Sequence, residues 1–188
     1  MEDKPFAQSY WVYPGLLCAG QYPGAPGLTG RDAKLTGLLD CGLRRVISLM
    51  EPSEVGLGGA PFTPYLPRLC ELAATRGEWV EWVSIPVRDA TAPSSVRMSE
   101  ILGVIDDGLA RRLPTYLHCW GGHGRTGMVV ACHLVGRGHA PEEAVAEVLR
   151  LRATLPKNHD PFEGGQRAFV LRWPPKEARG VADGVPTG

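Results

Sequence analysis

Ten residues constrain this chain more than any others: His118-Cys119-Trp120-Gly121-Gly122-His123-Gly124-Arg125-Thr126-Gly127. Thr115-Tyr116-Leu117 before them reads as a short strand, and Met128 to Leu134 after them as an apolar helix. A glycine-rich turn from strand to helix N-terminus points its backbone N–H groups inward, where the helix dipole adds partial positive charge, so it binds anions. A thiol at the strand end and an arginine at the helix start then face the same anion. The N–H cradle, the dipole and Arg125 favour the thiolate form of Cys119, a nucleophile. Arginine suits the second position because its planar fork can hold two phosphoryl oxygens at once. The glycines, Gly121, Gly122 and Gly124 among them, let the backbone approach the ligand with no Cβ in the way. Thr126 can donate a hydrogen bond to the sulfur. Phosphoryl transfer asks for little beyond positioning, charge stabilisation and a proton for the leaving oxygen.

Other motifs compete for the same residues. Gly122-x-Gly124-x-x-Gly127 also fits a dinucleotide-binding turn, which wants an acidic residue after a second strand about 20 residues on. The corresponding stretch, Pro141-Glu142-Glu143-Ala144, reads instead as a helix start. An ATP-type phosphate loop requires Gly-Lys-Ser/Thr, and Gly124-Arg125-Thr126 has no lysine. A metal held by His118, Cys119 and His123 would consume the nucleophile, and no further ligand cluster is visible, so neither metal nor cofactor is expected. An ordinary buried cysteine leaves the glycines and the Arg-Thr pair unexplained.

The rest of the chain supplies alternating strands and helices. Trp11-Val12 and Leu16 to Ala19 flank a turn, Thr29 to Asp32 reads as a capping box before a helix, and Val46 to Met50 is a buried strand. Glu51 to Phe62 is a glycine-rich loop expected to be mobile; Thr63-Pro64 opens a helix, and Trp79 to Val87 is a further strand. Helices follow Pro93-Ser94-Ser95, carrying Val96, Ile101, Leu102, Ile105 and Leu109, and begin at Pro141 and Gln166. This order predicts a single α/β domain whose central, mostly parallel sheet is flanked by helices on both faces. Residues 1–173 would form it, with 174–188 a frayed tail. Zero formal net charge gives no case for a nucleic-acid partner, and no run approaches membrane-span length. Five cysteines at irregular spacing point to a reducing, cytoplasmic setting rather than a disulfide framework, and Cys18, Cys41, Cys70 and Cys132 read as core or semi-buried residues.

The Cys119-to-Thr126 run resembles the Cys-x5-Arg-Ser/Thr signature of the cysteine-dependent protein tyrosine and dual-specificity phosphatases. The element order over roughly residues 10–173 is similar to their compact domains. The resemblance implies a protein-tyrosine-phosphatase-like fold with Cys119 as nucleophile and Arg125, with the N–H groups of residues 120–125, holding phosphate or sulfate. It implies a general acid on a loop ahead of the cysteine, where Asp89 fits; Asp106 and Asp107 are rivals that fall within a helix. His118 precedes the nucleophile, as in the family, where its ring bonds the loop backbone. Gln166 resembles a late glutamine that places the hydrolytic water. Trp120 and His123 occupy variable loop positions: Trp120 is expected to pack behind the loop, and His123 either lies idle on the rim or, half-charged, meets a second phosphate. The expected activity is hydrolysis of a phosphorylated protein or a small phosphomonoester through a phosphocysteine, with tyrosine or dual-specificity substrates leading. Phosphoinositides or inositol phosphates are the alternative substrates, and a non-catalytic phospho-ligand binder the third reading.

Overall fold

The computed structural model describes residues 4–24, 28–56 and 58–174, without the side chains of Leu28 and Thr29. The expected tail lies, from residue 175 onward, outside the described residues. Strands β1 (Ser9–Tyr13) and β2 (Leu17–Gly20) form an antiparallel hairpin. Then come α1 (Leu28–Asp40), β3 (Arg45–Ser48), α2 (Leu66–Ala74), β4 (Glu81–Ser84), α3 (Ser95–Ala110), β5 (Thr115–His118), α4 (Gly124–Gly136), α5 (Pro141–Arg152) and α6 (Gln166–Leu171). The five strands form one sheet in the order β1-β2-β5-β3-β4, parallel except for the β1–β2 pair.

Register places the site. His118 at the end of β5 lies beside Gly20 of β2 and Ser48 of β3, and Ser48 lies beside Ser84 of β4. Four parallel strands thus stop at one level, and the loops that follow them meet at the carboxyl edge, where open α/β sheets bind ligands. Alternation along the strands divides the interior. Leu17, Ala19, Ile47 and Leu117 face a core closed by α3, α4, α5 and α6. Cys18, Val46 and Tyr116 face the opposite core, closed by α1 and α2 through Leu35, Leu38, Leu39 and Leu69. Each such buried aliphatic side chain contributes about 1.5–3 kcal/mol, so the sheet is fixed from both sides.

Several boundaries differ from the expectation. Helix α2 starts at Leu66, not at Thr63-Pro64. A second proline, Pro67, lacks the N–H that a helix interior needs and is tolerated only in the first turn, which moves the start downstream. Helix α1 already includes Thr29, so that residue is not its cap. Strand β4 is four residues long, because it is an edge strand limited by its single partner, β3, and Trp79 and Trp82 are exposed. Val96 points to solvent, whereas Ile101, Leu102 and Ile105 are buried, and Cys70 is exposed rather than semi-buried. Among the described residues no helix is long and apolar enough to cross a membrane, and no group of three ligating side chains could hold a metal ion.

Candidate active site

Cys119 is the first residue beyond β5 and is 3% exposed, at the floor of a cavity of about 330 Å³. Asp89, Trp120, Gly121, His123, Gly124 and Gln166 line the same cavity, with Gln21, Lys157 and Glu163, which the sequence did not mark. Two glycines are required by the packing. Gly122 has φ +69°, and a Cβ there would stand 2.3 Å from the carbonyl carbon of Gly20. A Cβ on Gly124 would stand 2.4 Å from Oε1 of Gln166. The loop can therefore press against the end of β2 on one side and α6 on the other only without side chains at these positions.

His118 is fully buried beneath the loop. Its Nδ1 donates to the Cys119 carbonyl (3.1 Å), and Tyr65 Oη donates to its Nε2 (2.6 Å). Burial, reinforced by the charge of Arg125 and only partly offset by the carbonyl bond, pushes its pKa down to about 4, so the ring is neutral. Burial raises Tyr65 well above its ordinary value, and the phenol keeps the proton that it donates. The expected bond between the histidine ring and the loop backbone is present; its tyrosine partner had no sequence signal.

Arg125, in the first turn of α4, is 1% exposed. Its guanidinium reaches the carbonyls of Leu49 (3.3 Å) and Val87 (3.0 Å) and pairs end-on with both oxygens of Glu54, the Nη2–Oε2 contact being 2.9 Å. Asp89 Oδ1 lies 2.8 Å from Nη2, while Nε has no hydrogen-bond partner among the described residues. Burial alone would push this guanidinium down; the Glu54 bond and the charges of Cys119, Glu54 and Asp89 outweigh it and hold its pKa above the ordinary value. The outer end of the fork is thus held by Glu54, which leaves Nε and the Nη2 edge that Asp89 touches. Glu54 comes from the loop expected only to be mobile. Two glutamates, Glu51 and Glu54, precede its glycines, and nothing in the sequence singles out the second.

Asp89 is 53% exposed and lies on the turn after β4, at the mouth of the cavity. Gln166 is buried: its Nε2 donates to the Thr91 carbonyl (3.2 Å) and its Oε1 accepts from the Glu163 N–H (2.9 Å). It thereby ties α6 to the Asp89 loop. Asp106 and Asp107 serve α3 instead. Asp107 pairs with Arg45 at 2.7 Å and Asp106 with Arg137 at 3.0 Å, and neither lines the cavity.

Two expectations are corrected, for Thr126 and Trp120, and one of the two readings of His123 is removed. Thr126 is fully buried, but its hydroxyl makes no hydrogen bond among the described residues, so the bond to the Cys119 sulfur is absent. Threonine χ1 is stiff within a helix, and the rotamer set by packing decides where the hydroxyl points. Trp120 does not pack behind the loop; it forms part of the cavity wall, edge-on to Phe62 with centroids 5.9 Å apart. His123 is not half-charged, because burial first, then the charges of Arg152, His159 and Lys157, push its pKa to about 4.

Arg152 is a further residue the sequence missed. It is 1% exposed at the end of α5, one turn beyond the buried Val148, so a charged residue continuing an apolar stripe was its only signal. Its guanidinium donates to the Gly122 carbonyl (2.5 Å), to the Lys157 carbonyl (3.1 Å) and to His123 Nδ1. Turning the Gly122 carbonyl toward Arg152 leaves the peptide N–H side of the loop for the cavity. The bond to Nδ1 places the remaining histidine proton on Nε2.

The family model for the Swiss Army Knife PTP-SAK, DSP-PTPase phosphatase domain matches residues 7–172. "Putative tyrosine phosphatase 067L" of Invertebrate iridescent virus 3 is 40% identical over 57 residues, covering 28% of this chain and 24% of that protein, so the chain aligns with about a quarter of its length. Kinase associated phosphatase, solved with its catalytic cysteine replaced by serine, superposes with a TM-score of 0.67 at 18% identity, covering 98% of this chain and 100% of the other. PTPMT1 in complex with PI(5)P gives 0.61 at 18% identity, covering 89% and 95%. At such identities the solved structures speak for the fold, a five-stranded sheet between helices. The family model spans nearly the whole chain, residues 89, 119–126 and 166 included, and the chain belongs to the DSP-PTPase phosphatase domain family.

Proposed function

We propose that this domain hydrolyses phosphomonoesters through a phosphocysteine, with phosphorylated tyrosine or dual-specificity protein substrates as its targets. One observation carries the reading. Cys119 floors a cavity whose mouth holds Asp89, and Asp89 lies 2.8 Å from the guanidinium of the buried Arg125, in the helix turn that follows the cysteine loop. An incoming phosphoryl group takes the Nε and Nη2 edge of Arg125 and releases Asp89. Cys119 thiolate forms the S–P bond while the P–O bond to the leaving group breaks, and Asp89 gives its proton to the departing oxygen. The Asp89 carboxylate then takes a proton from water that Gln166 orients; this water attacks phosphorus, and phosphate and thiolate are released. Arg125 and the loop N–H groups stabilise the equatorial oxygens in both steps.

Substrate choice follows from the charges at the rim. A multiply phosphorylated inositol ring calls for several cations around the cavity. His123, the loop position that could have supplied one, is neutral, and among the described residues Lys157 is the lysine that lines the cavity. This favours a single phosphate on an uncharged leaving group.

The test is turnover of p-nitrophenyl phosphate with chelator present, followed by phosphotyrosyl and phosphothreonyl peptides against inositol phosphates. Cys119→Ser keeps the shape but removes the nucleophile, so turnover should vanish while phosphate still binds. Near wild-type rates in that variant, or loss of wild-type activity on chelation, would refute the mechanism.

A further inference from the structure

A second cavity, about 490 Å³, adjoins the first and shares Gln21 and Trp120 with it. Its wall is aromatic. Tyr22 and Phe62 lie 4.9 Å apart between ring centroids, and Phe62 meets Trp120 edge-on at 5.9 Å. The wall is fastened to the catalytic loop, because the Tyr22 N–H donates to the carbonyl of Trp120 (2.9 Å), the residue that follows Cys119. Its far side is bounded by Gly56 and Pro61, from the loop that supplies Glu54.

One cation lines this groove among the described residues, the half-buried Lys34 of α1. Its ammonium donates to the Gly24 carbonyl (3.2 Å), lies 5.5 Å from the Phe6 centroid and makes no ion pair among the described residues. The acid two residues earlier, Asp32, is taken by Arg68 at 2.7 Å and by Arg31 at 3.5 Å. Burial lowers the pKa of Lys34, and no carboxylate among the described residues opposes it. An ammonium has three donors, and withdrawing one from water with a single carbonyl acceptor is unfavourable unless an anion completes it. Three rings and one unpaired cation complement a ligand that is mostly apolar with one negative charge, not a polyanion.

We propose, resting on the phosphatase reading above, that this groove binds the residues flanking the phosphotyrosine of a phosphopeptide. An apolar neighbour packs on Tyr22, Phe62 and Trp120, and an acidic residue pairs with Lys34. Adjacent residues of an extended peptide are about 3.3–3.6 Å apart along the chain, so a phosphotyrosine over Cys119 delivers its neighbours past Trp120.

The experiment measures kcat/KM for phosphotyrosyl peptides that differ only in carrying Glu, Ala or Lys beside the phosphotyrosine, on either flank, with p-nitrophenyl phosphate as reference. Wild type should favour the acidic over the basic peptide by about tenfold, the effect of one charge-assisted hydrogen bond. Lys34→Ala should flatten this preference and Lys34→Glu reverse it, with the reference substrate unaffected by either. Phe62→Ala should slow peptides with an apolar neighbour and leave the reference unchanged. A flat wild-type panel, or an acidic preference that survives Lys34→Glu, overturns the groove while leaving the phosphatase reading intact. So does faster turnover of inositol phosphates with the Lys34→Glu loss confined to them. Absence of turnover on the reference substrate in wild type sinks the phosphatase reading itself.

Discussion

Replacing Arg125 by lysine separates charge from geometry. The guanidinium binds the Leu49 and Val87 carbonyls and both Glu54 oxygens and touches Asp89, joining the ends of β3 and β4 to the cysteine loop. A lysine ammonium keeps the positive charge, so the larger loss from stranding the buried Glu54 is avoided. It cannot span acceptors on opposite sides of a planar fork, and at least two charge-assisted contacts are lost. At about 1.5–3 kcal/mol for such a hydrogen bond, softened by local rearrangement, the domain should lose about 3 kcal/mol. That lowers Tm by roughly 6–12 °C, at about 2–4 °C per kcal/mol for a domain of this size. Catalysis should suffer more, because loss of one preorganised oxyanion donor lowers kcat by about 10²–10³. Thermal unfolding, p-nitrophenyl phosphate kinetics and calorimetric titration of inorganic phosphate measure all three. Wild-type kcat/KM together with wild-type phosphate affinity in Arg125→Lys would show that charge suffices and that the fork geometry is irrelevant.

Asp89→Asn should slow poor leaving groups, such as alkyl phosphates and phosphotyrosine, far more than activated aryl phosphates, and should remove the basic limb of the pH–rate profile; a uniform loss with an unchanged profile would place the acid elsewhere. Gly122→Ala brings a Cβ to within 2.3 Å of backbone at φ +69°, so it should cost more than the about 1–2 kcal/mol of left-handed strain alone and displace the loop; wild-type activity and Tm would contradict the packing argument. His118 titrates near 4 when folded, chiefly because it is buried, against 6.5 ordinarily. Its folded value is depressed, so stability is full above about pH 6.5 and declines as pH falls toward 4, by roughly 3 kcal/mol; denaturant unfolding at both ends of that window, in wild type and His118→Asn, tests this, and equal pH slopes would count against it. Arg152→Met removes the clamp on the Gly122 carbonyl and His123 and should lower kcat about tenfold while leaving KM nearly unchanged, with kcat expressed per mole of folded protein from circular dichroism, because loss of folded enzyme alone would lower apparent kcat in the same way; a wild-type kcat would count against the clamp.

By itself the sequence determined what is local. Glycines between an apolar strand and an apolar helix dictate an anion-binding turn, since backbone conformation and helix polarity act over a few residues; Cys119 and Arg125 stand where that logic puts them. Alternating buried strands and helices were legible for the same reason, and so was the α/β sheet. What lies between distant segments had no such signature. Glu54 meets Arg125 across 71 positions in sequence, and Tyr65 meets His118 across 53. Those pairings exist because parallel strands in register bring four loop starts to one edge of the sheet. Burial, likewise a property of the assembled chain, makes His118 and His123 neutral, places Arg152 beneath the loop and leaves Lys34, among the described residues, without an ion pair beside three aromatic rings.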